Sequence, residues 1–188
     1  MIDLQVQIDK RQMRRAQLML RAIPRGWPKA ASRALNKVGT WARSRIVKGL
    51  AAELGLRQSF LRKKHVGLRR ATWRNLGAVV RTKGRKRIPL IEFQARETAR
   101  GVSYRIGRGS GRKRIVEAFI ATMPGGHTGV YVRKTRRRLP IVEPFGPSVT
   151  HVFEQAMDTG RQIVVESGSR LGMEIDRQVQ VLLEKAAR

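Results

Sequence analysis

The sequence predicts an α+β fold: N-terminal helices, a central antiparallel β-sheet with basic loops, and a long C-terminal helix. Apolar residues recur every three to four positions over residues 31–54 and again over 149–186, as in helices that bury one face. Between those stretches, from Gly55 to about Val142, the apolar period shortens toward two, the spacing of half-buried strands. The connections there are mostly too short for crossover helices, so neighbouring strands are expected to run antiparallel.

The first helix is expected over about residues 9–22, with Leu18, Met19 and Ala22 on one side and Pro24 ending it. A longer one follows in "WPKAASRALNKVGTWARSRIVKGLAAELG". Pro28 suits a first helical turn, apolar residues stand at 31, 34, 35, 38, 42, 46, 50 and 54, and Gly55 is placed to stop the helix. Strands are then predicted in "KHVGLRRAT", "LGAVVRTK", "IPLIEF", "GVSYRI" and "GVYVRK", joined by the glycine-rich or basic turns "KGRKR", "GRGSGRKR", "MPGGHTG" and "KTRRR". The run "RTKGRKR" becomes a loop between two strands, with "IPLIEFQ" as the strand that anchors it.

From Pro147 onward the spacing predicts one helix of nearly forty residues, on the order of 60 Å long. A break near Ser167 and Gly168, giving two helices, is the alternative. A single small sheet cannot cover such a length. Val152, Phe153, Ile163, Val164, Leu171, Ile175, Val179 and Leu182 are therefore expected to serve oligomer packing. The chain divides into an N-terminal helical segment (1–56), a basic β-rich core (57–146) and the C-terminal helix (147–188), together one domain. Its 188 residues, 41% of them hydrophobic, suffice for a real core.

Charge carries the functional reading. The chain has 41 Lys+Arg against 13 Asp+Glu, a formal net charge of +28. Such a field calls for an anionic partner, and a phosphate backbone is the commonest one. The excess is concentrated between residues 57 and 138, which hold 24 basic and 3 acidic residues. That is the folded middle of the chain rather than a tail.

Other chemistry is thinly represented. Cysteine is absent, which excludes disulfides, thiolate nucleophiles and cysteine-ligated zinc. His65, His127 and His151 are scattered, without metal-ligand spacing, and read as surface or loop histidines. Glu92, Glu97 and Glu117 lie among cations that would hold them ionised, unlike a general acid. "GRGSGRKR" lacks the order of a nucleotide-binding loop and reads as a flexible cationic hairpin tip. The aromatic residues Trp27, Trp41, Trp73, Tyr104 and Tyr131 form no spaced stacking series, which favours duplex DNA over single strands. No catalytic residue, metal site or cofactor is expected. The N-terminus lacks the layout of a signal peptide, and no stretch has the length of a membrane span.

The order of elements resembles the phage minor tail protein Z family, the tail-completion or neck proteins of lambda-like siphophages. The resemblance runs from about residue 30 to the end. It rests on a succession: "RALNKVGTWARSRI", "LRKKHVGLRRATWRN", "AVVRTKGRKRIPLIEF", the Gly/Arg loop, "EAFIATMPGGHTGVYVRK", then "RRRLPIVEPFGPSV" opening the last helix. It implies a non-enzymatic virion protein, assembled in the host cytoplasm and acting at the head-proximal end of the tail. The implied partners are double-stranded DNA, tail tube and tail terminator proteins, and further copies in a ring, with a hexamer expected. Arg81, Lys83, Arg85, Lys86, Arg87, Arg108, Arg112, Lys113, Arg114, Arg133, Lys134, Arg136, Arg137 and Arg138 are the residues expected to face DNA or an acidic partner. A ribosome-associated or nucleoid-type protein that binds nucleic acid without sequence preference is the alternative.

Overall fold

The computed structural model describes residues 2–5, 10–83, 87–107, 109–155 and 157–187, the first stretch and residues 157–159 by backbone only. Its elements are mixed α and β, with helices first, small antiparallel sheets in the middle and a long helix last. The chain folds into two compact units. One comprises residues 1–46, 66–82 and 156–188, the other residues 47–65 and 83–155.

The first unit is built on α2 (Gly26–Leu54), most of which it contains. Every apolar position expected on its buried stripe, from Ala31 to Leu54, is buried. Gly55, at φ +69°, takes the left-handed conformation that ends the helix. The buried face is rich in small residues: Ala30, Ala31, Ala34, Gly39 and Ala42. A Cβ at Gly39 would lie 3.0 Å from Leu68 and 3.4 Å from Ala78, so the missing side chain lets the sheet approach closely. That sheet has the order β1-β3-β2, with β1 (Ile2–Gln5) and β2 (Val66–Arg69) both antiparallel to β3 (Val79–Thr82).

Helix α1 (Lys10–Met19) is shorter than expected and turned differently. Ala16 and Leu20 are buried and Met13 and Ile23 partly so, whereas Leu18, Met19 and Ala22 face solvent. The i, i+3, i+7 spacing of 13, 16 and 20 selects the true face. Helix α5 (Met157–Ala186) runs without a break through Gly160, Ser167, Gly168 and Gly172. The buried Ser167 hydroxyl donates to the Ile163 carbonyl one turn earlier (2.6 Å), so it needs no partner outside its own helix. Leu171, Ile175, Val179 and Leu182 share a core with Ala16, Leu20 and the small residues of α2. These four positions of the apolar stripe are thus covered within the chain itself. Ile163 is buried as well, while Val164 is 41% exposed.

Polar links reinforce this packing. Gln12 donates to the Gly172 carbonyl (2.8 Å), joining α1 to α5. Lys37 on α2 meets Glu174 on α5 at 2.8 Å, and the indole of Trp41 lies under the Arg170 guanidinium at 4.4 Å. Burial by itself would raise the Glu174 pKa. Hydrogen bonds from Lys37 and Gln178 and the charges of Lys37 and Arg177 outweigh it, holding the carboxyl below its ordinary value.

The second unit contains α3 (Gln58–Lys64), two three-stranded sheets and α4 (Val149–Gln155). One sheet has the order β4-β5-β6, formed by Arg96–Thr98, Gly101–Tyr104 and Lys113–Val116. The other has the order β7-β8-β9, formed by Phe119–Thr122, Thr128–Arg133 and Ile141–Val142. All pairings are antiparallel. The single central sheet expected from the sequence is therefore three small ones, because the β2-β3 ribbon belongs with the helices of the first unit. Val152 and Phe153, on α4, are half-buried.

"IPLIEF" is not a strand. Pro89 cannot donate to a ladder and makes a lone bridge to Phe145, and Leu90–Glu92 forms a 3-10 turn. Ile88, Leu90 and Phe93 are buried all the same. The segment anchors by side-chain burial and by two backbone bonds, Gly146 N–H to the Ile88 carbonyl (2.8 Å) and Ile88 N–H to the Pro147 carbonyl (3.4 Å).

Candidate anion-binding surface

The register of the β4-β5-β6 sheet builds one cationic face. Arg96, Ser103 and Arg114 stand side by side across the three strands. Side chains alternate along a strand, so these three share a face, and Lys113 points to the other. Arg100, in the β4–β5 turn, lines a shallow depression with Thr98, Ala99 and Arg114. Arg96, Arg100 and Arg114 are all exposed, so three guanidiniums belong to one sheet surface. Arg96 and Arg100 were not among the residues expected to contact an anion. Each stands alone between uncharged or acidic neighbours, and only strand pairing brings it to Arg114.

Arg112 is engaged by its own sheet. Its guanidinium donates to the Gln94 carbonyl (2.9 Å), the Ser103 carbonyl (3.0 Å) and the Ser103 hydroxyl (3.1 Å). It ties the start of β6 to the rest of the sheet. The loop ahead of it is anchored too: Gly107, at φ +80°, rests against the end of α2, where a Cβ would lie 2.8 Å from the Glu53 carbonyl oxygen. Gly107 and Arg112, on either side of the loop, are thus both anchored. Arg108 lies outside the described residues.

A second cationic group occupies the β8–β9 connection. Arg133 ends β8 with its guanidinium 4.9 Å from the Phe119 ring, and Lys134, Arg136, Arg137 and Arg138 follow on a fully exposed bend. Lys134 N–H donates to the Pro140 carbonyl (3.1 Å), which closes the bend. Behind it, Glu143 accepts from His127 (3.0 Å to each carboxylate oxygen), so this nearby carboxylate has a partner of its own. Burial pushes the Tyr131 phenol above its ordinary pKa, and the Glu143 charge adds to the rise.

The run that begins at Arg81 is only partly described. Arg81 is half-buried in β3, and Lys83 and Arg87 are exposed. Arg85 and Lys86 lie outside the described residues. Lys83 N–H donates to the His65 carbonyl (2.5 Å), and Ile88 is held as above, so the run is tied close to both ends. Arg87 lines a pocket with Ile106, Phe145, Gly146, Pro147, Ser148 and His151.

Folding also redistributes the net charge. The first unit holds 20 of the 41 basic and 7 of the 13 acidic residues, leaving 21 and 6 to the second. Both units are strongly cationic, and residues 66–82 supply four of the first unit's 20 basic residues. Among the described residues no group of three or more His, Asp or Glu side chains converges as a metal site would require, and no helix is long and apolar enough to cross a membrane.

Comparison with curated proteins and with solved structures finds no match to the chain. A family model does match, over residues 12–185, and it describes prophage minor tail protein Z. The match starts within α1 and ends within α5, so it spans both units and adds residues 12–29 to the stretch covered by the sequence resemblance. The chain therefore belongs to the prophage minor tail protein Z family, structural proteins of the phage tail.

Proposed function

We propose that this tail protein completes the head-proximal end of the tail, forming a ring, a hexamer in the simplest case, around the DNA path. Tail tube and tail terminator proteins are its neighbours there, and its action is non-enzymatic. The observation that supports this most is the exposed, clustered cation set of the second unit: the sheet face of Arg96, Arg100 and Arg114 and the bend carrying Arg136, Arg137 and Arg138. Phosphate contacts from such groups position a duplex without reading its sequence. Short antiparallel strands fix where those charges point, which a mobile arm cannot do. Six copies around one axis would multiply a modest charge per subunit into a strong lumen field.

The test is the salt dependence of duplex binding. Replacing Arg136, Arg137 and Arg138 with Gln should weaken affinity and flatten the slope of log K against log salt by about 0.9 for each phosphate the variant no longer neutralises. An unchanged slope removes the bend from the DNA-facing set. If tails carrying the triple variant then fail to join heads, its partner is an acidic protein surface.

A further inference from the structure

We propose that Trp73, Arg25 and Arg74 form a docking site for a carboxylate-bearing surface of a protein partner. The site lies on the first unit and rests on no assumption about a ring or a DNA path. Trp73 is 47% exposed, an unusual position for the largest apolar side chain on so charged a chain. It is not loose. The loop that carries it, between β2 and β3, is pinned to α2 by a reciprocal pair: Asn36 donates to the Ala71 carbonyl (2.9 Å) and accepts from the Ala71 N–H (2.8 Å). Within the loop, Thr72 N–H donates to the Asn75 carbonyl (2.8 Å), and Asn75 N–H donates to the Thr72 hydroxyl (3.1 Å).

Two guanidiniums lie against the indole, Arg25 at 4.7 Å and Arg74 at 4.6 Å from the ring. Arg25 holds its place with φ at +56°, a conformation disfavoured for any residue with a side chain. Stacking on an aromatic ring orients a guanidinium while leaving its N–H edge free to take a carboxylate in bidentate fashion. Tryptophan flanked by arginine is also the composition of interface hot spots. A duplex backbone offers the indole no apolar surface. A nucleobase needs an open ring face, and this ring already carries two cations. A protein surface supplies carboxylates and carbon together, and the positive charge here selects an acidic one.

The experiment follows the Trp73 indole N–H and the Arg25 and Arg74 side-chain N–H signals of the full-length protein by NMR. Three probes are titrated separately: the capped peptide Glu-Asp-Phe-Glu-Asp-Leu, an oligothymidylate, and a DNA duplex. The peptide should move the Trp73, Arg25 and Arg74 signals at concentrations about fivefold below those that move Arg136, Arg137 and Arg138. Trp73→Ala should abolish that preference and Trp73→Phe should keep part of it. If the peptide moves both sets together, or the preference survives in Trp73→Ala, the proposal fails. Earlier movement of Trp73 by either nucleic acid overturns it in favour of a nucleic-acid surface. Should Trp73→Ala not fold, the wild-type and Trp73→Phe titrations still decide.

Discussion

Glu174 is a carboxylate whose surroundings favour its charged form despite burial, and that has a consequence for stability. Its folded-state pKa lies below the unfolded one. Its stabilising contribution is therefore fully present above the unfolded value and is lost as pH falls through the folded value. Glu174→Gln should lower stability by about 1 kcal/mol at pH 7. Thermal melts should show the gap between variant and wild type closing below about pH 4; a gap of constant size would mean that charge is not what Glu174 contributes. Gly146 has a steric role. A Cβ there would run into the ring of Phe93, which is fully buried and has no room to yield. Gly146→Ala should cost about 1–3 kcal/mol in urea unfolding. It should also loosen the Gly146–Ile88 bond that holds the C-terminal side of the basic run.

Among the elements, α2 was legible because two signals agreed along its whole length: a sustained apolar stripe and a glycine able to take positive φ at its end. Helix α5 was legible in its period but not in its partner. The stripe says that one face leaves water, and α1 and α2 of the same chain supply the cover. Ile175→Ala should consequently cost about 2–5 kcal/mol, as in a packed core. Val165→Ala, at a position 72% exposed, should change stability by less than about 0.5 kcal/mol. Denaturant melts of the two variants test the orientation of the helix directly. "IPLIEF" misled because burial of Ile88, Leu90 and Phe93 resembles a strand pattern, whereas Pro89 and the 3-10 turn prevent a ladder.

Over the whole molecule the dominant quantity is the charge of +28, shared almost evenly by the two units. Like-charge repulsion opposes assembly of such chains until counter-charge is present. On the proposed reading, sedimentation at low salt should show small species, and added duplex DNA or about 0.5 M salt should shift them to rings. Salt-independent association would instead place subunit contacts where the positive field is already neutralised within the chain.

The amino-acid order by itself determined the fold class, the long helices and the cationic excess, since periodicity and net charge are properties of the chain. It also carried the family resemblance that the match over residues 12–185 bears out. Tertiary structure decided which cations share a surface. Strand register set Arg96 and Arg114 on one face, Arg112 bonds back to its own sheet, and the loop pinned by Asn36 exposes Trp73 against Arg25 and Arg74. These are pairings between residues distant in sequence, or choices between solvent and backbone for one guanidinium. Neither leaves a periodic trace in the sequence, because each depends on which neighbours folding brings within a few ångströms.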